Sequence, residues 1–119
     1  MFKKTLCLDF DGVIHSYTSG WQGADVISDP PVPGAIDFIR KALGTFTVAI
    51  YSSRSHEAGG IEAMQWWLRK HAEPGLVAEI EFPQYKPSAF ITIDDRALTF
   101  DGTWPDIATL KAFQPWNKR

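Results

Sequence analysis

Two aspartates separated by one phenylalanine, Asp9-Phe10-Asp11, follow the apolar run Leu6-Cys7-Leu8 and precede Gly12. Carboxylates at the mouth of an apolar strand are costly unless something compensates their charge. In an extended chain residues two apart point to the same side, so Asp9 and Asp11 can address one locus. A second acidic pair, Asp94-Asp95, closes the apolar run that starts at Phe90, and Ser52, Ser53 and Arg54 follow "VAIY". Lys86 stands before Pro87. Crowded together, Asp9, Asp11, Asp94 and Asp95 would repel one another by several kcal/mol, on the order of what a hard cation offsets. Mg²⁺ suits such a site because it prefers a few carboxylates and retains water. A lysine and a serine add a charge and a donor for phosphate oxygens. Taken singly, Ser52 reads as a turn residue, Lys86 as a solvated loop lysine and Asp94-Asp95 as a turn or helix cap. Their conjunction at strand ends is what carries information.

The elements that must position them are short. Residues 5–10 read as a buried strand, apolar on both faces. Residues 14–33 hold Gly20, Gly23, Pro30, Pro31 and Pro33 and read as a loop or flap. A helix is expected over 34–43, where Ala35, Phe38, Ile39 and Ala42 or Leu43 make one stripe. Residues 46–53 form the second strand and 61–71 the second helix, with Trp67 inward and Trp66 half-covered at the surface. Alternation predicts a third strand over 76–82, a fourth, buried strand over 88–94 and a short helix near 106–113. Strands alternating with helices predict an α/β fold with a mainly parallel sheet covered on both faces. In such sheets ligands gather beyond the carboxyl ends of the strands, which would bring all the polar groups above to one edge.

The quoted segments "LCLDFDGV", "VAIYSSR", "YKPSAF" and "FITIDD" resemble, in order, the four motifs of the haloacid dehalogenase (HAD) superfamily of phosphohydrolases. The resemblance spans residues 6–95 and implies a Rossmann-like domain. It implies that Asp9 is a nucleophile that takes the phosphoryl group, and that Asp11 is the acid that protonates the leaving oxygen and later activates water. Gly12 would allow close backbone approach to phosphate. Ser52, with Ser53 as a register-shifted alternative, would bind the phosphoryl group, and Lys86 would steady nucleophile and phosphate. Asp9, the carbonyl of Asp11, Asp95 and Asp94 would hold Mg²⁺ directly or through a neighbour. The sequence does not decide between Asp94 and Asp95 as direct ligand.

Many relatives close the site with a separate cap domain. Residues 14–33 are too few for an independent core, so the resemblance implies a capless member with an open site. Its expected substrates are a small phosphorylated metabolite, a nucleotide or an exposed phosphate on a macromolecule. His15, Tyr17 and Trp21 on the flap and Arg54 and His56 beyond the second strand are expected within reach. Arg54 is expected to bind substrate, and the two histidines to be surface or hydrogen-bonding residues. The competing reading is a non-catalytic phosphate-binding module or a receiver-like phosphoacceptor. Receivers carry the same ingredients in another order, with a lone acid ending a middle strand and lysine last. Here no acid ends the second strand, and Lys86 precedes the final acids.

The bulk numbers fit one domain over residues 1–119: 45% of them are hydrophobic, 22% charged, and the net charge is −2. That balance gives no polycation signature for an extended nucleic-acid surface. No stretch approaches the ~20 apolar residues of a membrane span. Cys7 is the only cysteine, which removes disulfides and cysteine zinc sites and reads as a buried strand residue. The expectation is a cytoplasmic protein, with nothing to specify an oligomer.

Overall fold

The computed structural model describes residues 2–118. Strand β1 (Thr5–Leu8) lies at the centre of a three-stranded parallel sheet, between β2 (Thr47–Ile50) and β3 (Ile91–Ile93). The register pairs Leu8 with Ile50 and with Ile93. Side chains alternate across a strand, so Leu6, Leu8, Val48, Ile50, Ile91 and Ile93 share one face, and Cys7, Ala49 and Thr92 the other.

Helices α1 (Ala35–Ala42) and α2 (Gly60–His71) contribute Ile39, Ala42, Met64, Trp67 and Leu68 to the same core as Leu6, Leu8, Val48 and Ile50. Gly34 starts α1 at φ 85°, a conformation glycine adopts without the cost a Cβ brings. The Trp67 indole is buried and donates to the Asp29 carbonyl at 2.9 Å, fastening the 14–33 segment to α2. Trp66 points outward and is more exposed than the expected half-covered position.

Two expectations are corrected. Residues 76–82 do not form a strand: Pro74 opens helix α3 (Pro74–Ala78), which buries the consecutive pair Leu76 and Val77. Only Glu81 then reaches the sheet, as a single bridge to Ala49. The last strand is not buried either. Ile91 is 53% and Ile93 39% exposed, because among the described residues no element covers that flank. Phe38 of α1, expected in the buried stripe, instead borders an apolar hollow with Leu8, Ile14, Pro33 and Ile93. The sheet is therefore not covered on both faces along its whole width.

Beyond β3 the chain forms α4 (Ile107–Lys111) and a final 3₁₀ turn, Trp116–Lys118. That turn comes back over the loop after β1: Trp116 Nε1 donates to the Gly12 carbonyl at 2.7 Å, and Asn117 Nδ2 to the Ser16 carbonyl at 3.3 Å. Among the described residues no helix is long and apolar enough to cross a membrane.

Candidate active site

One residue past the paired positions Leu8, Ile50 and Ile93 stand Asp9, Tyr51 and Asp94, at the carboxyl end of the sheet. The ladder reaches this row: Asp9 N–H donates to the Ile93 carbonyl at 3.0 Å and Tyr51 N–H to the Leu8 carbonyl at 3.1 Å. By alternation the row projects from the Cys7 face. Asp9, Asp94 and Asp95 each offer an oxygen, and these oxygens lie within 4.8 Å of one another. Burial pushes the Asp9 carboxyl up to about 8, helped by a hydrogen bond from Asp95 and the charge of Asp94, with the Phe10 backbone opposing. Negative charges this close repel one another, and a cation among them would offset that repulsion. Asp94 Oδ1 accepts from Arg96 N–H at 2.8 Å, which orients that side chain.

Gly12 belongs to the same cluster. Its φ is 83°, and a Cβ there would overlap the Asp95 carboxylate, with Asp95 Cγ at 2.8 Å. The cradle that glycine opens is filled by an acid of the triad, so the residue admits Asp95 where the sequence reading had it admit phosphate. The donor set of carboxylate oxygens in a small cluster fits a hard cation such as Mg²⁺.

Asp11 goes elsewhere. The Phe10 carbonyl accepts from the N–H groups of Val13, Ile14 and His15, and this tight turn swings Asp11 away from the triad. Asp11 Oδ2 accepts from Arg54 Nε at 2.9 Å, and its Oδ1 lies 2.9 Å from His15 Nδ1. His15 Nε2 accepts the Asp29 backbone N–H at 3.1 Å. A ring nitrogen that accepts a backbone N–H carries no proton, so His15 is protonated at Nδ1 and donates to Asp11. Asp29 in turn accepts from the Ser19 hydroxyl and backbone at 2.6 and 2.8 Å, bonds that hold its carboxyl below the usual range. The expectation that Asp9 and Asp11 address one locus is corrected by this turn, which leaves the Asp11 carboxylate outside the triad.

Arg54 is also corrected. Its side chain is 0% exposed, so it does not face a substrate. Nη1 donates to the carbonyls of Gly23, Ala24 and Val26 at 3.0, 2.9 and 3.1 Å, while Nη2 is buried without a hydrogen-bond partner. The guanidinium also lies 4.9 Å from the Trp21 ring. It thus ties the flap to Asp11. Gly60 permits the tight entry into α2 behind it, since a Cβ there would overlap the Arg54 carbonyl.

Ser52 is buried at the end of β2, where its hydroxyl accepts the Arg54 N–H at 3.2 Å as cap of the 3₁₀ turn Ser53–His56. That leaves its own proton free to donate. Ser53 is exposed on the turn. Lys86 lies in the exposed loop after Glu81, with no hydrogen bond or ion pair among the described residues, although its charge lowers the pKa of the Cys7 thiol, which burial raises. Tyr17 has φ 61°, the only positive value at a non-glycine residue among the described residues, and its ring centroid lies 5.9 Å from that of His15. Burial and the charge of Asp11 raise its phenol.

His15 is a hydrogen-bonding residue as expected, but sequence reasoning did not name Asp11 as its partner and missed Asp29 altogether. The contact to Asp29 leaves no signal in the sequence. Comparisons with protein-family models, curated proteins and solved structures find no match.

Proposed function

We propose that this protein is a Mg²⁺-dependent phosphomonoester hydrolase of the HAD type, acting from the carboxyl end of β1. The observation that carries the reading is the convergence of Asp9, Asp94 and Asp95 oxygens within 4.8 Å of one another at the carboxyl end of the sheet. Asp9, Asp94 and Asp95 would hold the ion. Bound there, Mg²⁺ would supply the positive charge that keeps Asp9 ionised and offsets the phosphoryl oxygens.

An ionised Asp9 oxygen attacks phosphorus, the ester P–O bond breaks, and the leaving oxygen takes a proton from a solvent water to depart as an alcohol. Water then attacks the aspartyl phosphate at phosphorus, gives up a proton, and releases inorganic phosphate and free Asp9. The Ser52 hydroxyl donates to a transferring oxygen, and Lys86 swings its unpaired ammonium to the same charge. Asp11, hydrogen-bonded to Arg54 and His15, would take the proton of the attacking water. The substrate side is a phosphorylated small molecule or an exposed terminal phosphate, because the flap of residues 14–33 carries no helix or strand to close a chamber.

The engaged state of Asp11 favours one second reading, in which Asp9 accepts a phosphoryl group and turns over slowly, as a phosphoacceptor module would. Turnover of 4-nitrophenyl phosphate with Mg²⁺, with EDTA and in Asp9→Asn separates the two. The hydrolase reading expects steady turnover that falls on the order of 10³-fold or more without the nucleophile. Turnover that survives Asp9→Asn overturns it. A stoichiometric phosphoprotein without turnover supports the acceptor reading instead.

A further inference from the structure

The row that carries Asp9 also carries Tyr51, its lateral neighbour across the β1–β2 ladder. Adjacent strands are about 4.8 Å apart, so Tyr51 is the first side chain beside the proposed nucleophile on that face. Its hydroxyl and His56 Nε2 are hydrogen-bonded at 2.6 Å, and the two rings meet edge to face with centroids 5.5 Å apart. The His56 ring then tilts against Tyr85 at 5.7 Å. Tyr85 immediately precedes Lys86, and the segment that carries both is delivered to this end of the sheet by Glu81. The Glu81 N–H and carbonyl pair with Val48 and Ile50, each at 2.9 Å.

Three rings thus lead away from the phosphoryl site in sequence, and they end at the surface. Tyr85 is 71% exposed, and His56 is exposed as well. Exposure alone does not single Tyr85 out, since Trp104 and Trp66 are similarly exposed; what does is its place against the His56 ring, which Tyr51 holds at the end of the Asp9 row. The Tyr51–His56 bond fixes the histidine ring, so the platform is formed before anything binds. Its polar edges, the Tyr85 hydroxyl and His56 Nδ1, make no hydrogen bond among the described residues. A flat ring with hydrogen-bonding edges, carried on the same molecule as a phosphate, is a nucleobase, and bases stack on such faces with little regard to sequence.

We propose that Tyr51, His56 and Tyr85 form a nucleobase platform, so that the substrate is a nucleotide monoester with its phosphate at Asp9 and its base against Tyr85. This rests on the phosphohydrolase reading for where the phosphate sits, but the platform can be tested without turnover. The same chemistry is offered by a free mononucleotide and by the phosphorylated end of an oligonucleotide.

The experiment has a kinetic and a binding arm. With Mg²⁺, kcat/KM is measured for AMP, a 5′-phosphorylated tetranucleotide, ribose 5-phosphate and a phosphotyrosine peptide, in wild type, Tyr85→Ala and Tyr85→Phe. A base-bearing substrate should be preferred over ribose 5-phosphate. Tyr85→Ala should shrink that preference about tenfold, through KM, and Tyr85→Phe should retain most of it. Preference for AMP or for the oligonucleotide supports the proposal in either case and identifies the source. Equal use of AMP and ribose 5-phosphate overturns the platform while leaving the hydrolase intact, and so does a preferred phosphotyrosine peptide that loses its advantage in Tyr85→Ala. In the second arm AMP is titrated calorimetrically into Asp9→Asn, alone and combined with Tyr85→Ala. Tyr85-dependent AMP binding, in a protein whose wild type hydrolyses nothing, sustains the platform and sinks the hydrolase. Binding that ignores Tyr85 sinks the platform.

Discussion

The two flanks of β1 are built differently. On the β2 side Val48, Ala49 and Ile50 are fully buried, and Ser52 and Arg54 continue that burial past the strand end. On the β3 side Ile91, Thr92 and Ile93 are all exposed, and the strand is three residues long. Asp9 and Ser52 are therefore held by the core, whereas Asp94 and Asp95 hang from a strand with little packing behind it. The triad thus joins a well-packed side to a thinly packed one, and under the proposed function a cation bound there would tie β3 more firmly to β1.

Arg54 gives the sharpest way to break this comparison. Its removal leaves Asp11, 13% exposed, without its buried counter-charge, and frees three flap carbonyls. Arg54→Met should cost roughly 3–5 kcal/mol of unfolding free energy by urea titration. A loss under about 1 kcal/mol would mean that the flap does not depend on it. The second test compares the flanks directly. Ile50→Ala should cost about 2–5 kcal/mol, while Ile91→Ala, on an exposed position, should stay within roughly 1 kcal/mol. Equal losses would show β3 to be covered in solution.

The third test uses protons. The Asp9 carboxyl, about 8 in the folded protein without metal, exceeds its unfolded value of 3.8. The folded state therefore binds more protons between those values, and metal-free stability falls as pH rises from about 4 toward about 8. Thermal melts in EDTA should show that decline, Asp9→Asn should flatten it, and Mg²⁺ should reverse it at the alkaline end. A flat profile in EDTA would remove the crowded-carboxylate account. The smallest effect is expected at the closing turn, where Trp116→Phe removes one bond to the Gly12 carbonyl and should cost about 1 kcal/mol.

What the sequence revealed divides along the same line. The runs at β1 and β2 were legible because a strand buried on both faces leaves a continuous apolar stretch. Residues 76–82 misled because Leu76, Ile80 and Phe82 alternate like a strand, while the decisive residue, Pro74, sits outside the pattern. The exposure of β3 left no trace, since Ile91-Thr92-Ile93 looks the same whether or not a helix covers it. The acids were legible as a set, but the fate of Asp11 was not. Its partner Arg54 is 43 residues away, and the carbonyls that complete the guanidinium shell carry no side-chain signal.

The contact between Trp116 and Gly12 joins positions 104 residues apart. During synthesis β1, β2 and the helices between them can assemble as they emerge, but the indole that grips the Gly12 carbonyl leaves the ribosome long afterwards. The Gly12 carbonyl thus gains this partner long after the rest of its loop can close on the Phe10 carbonyl and on Arg54. A nascent chain stalled before residue 116 would have that loop folded but one bond short.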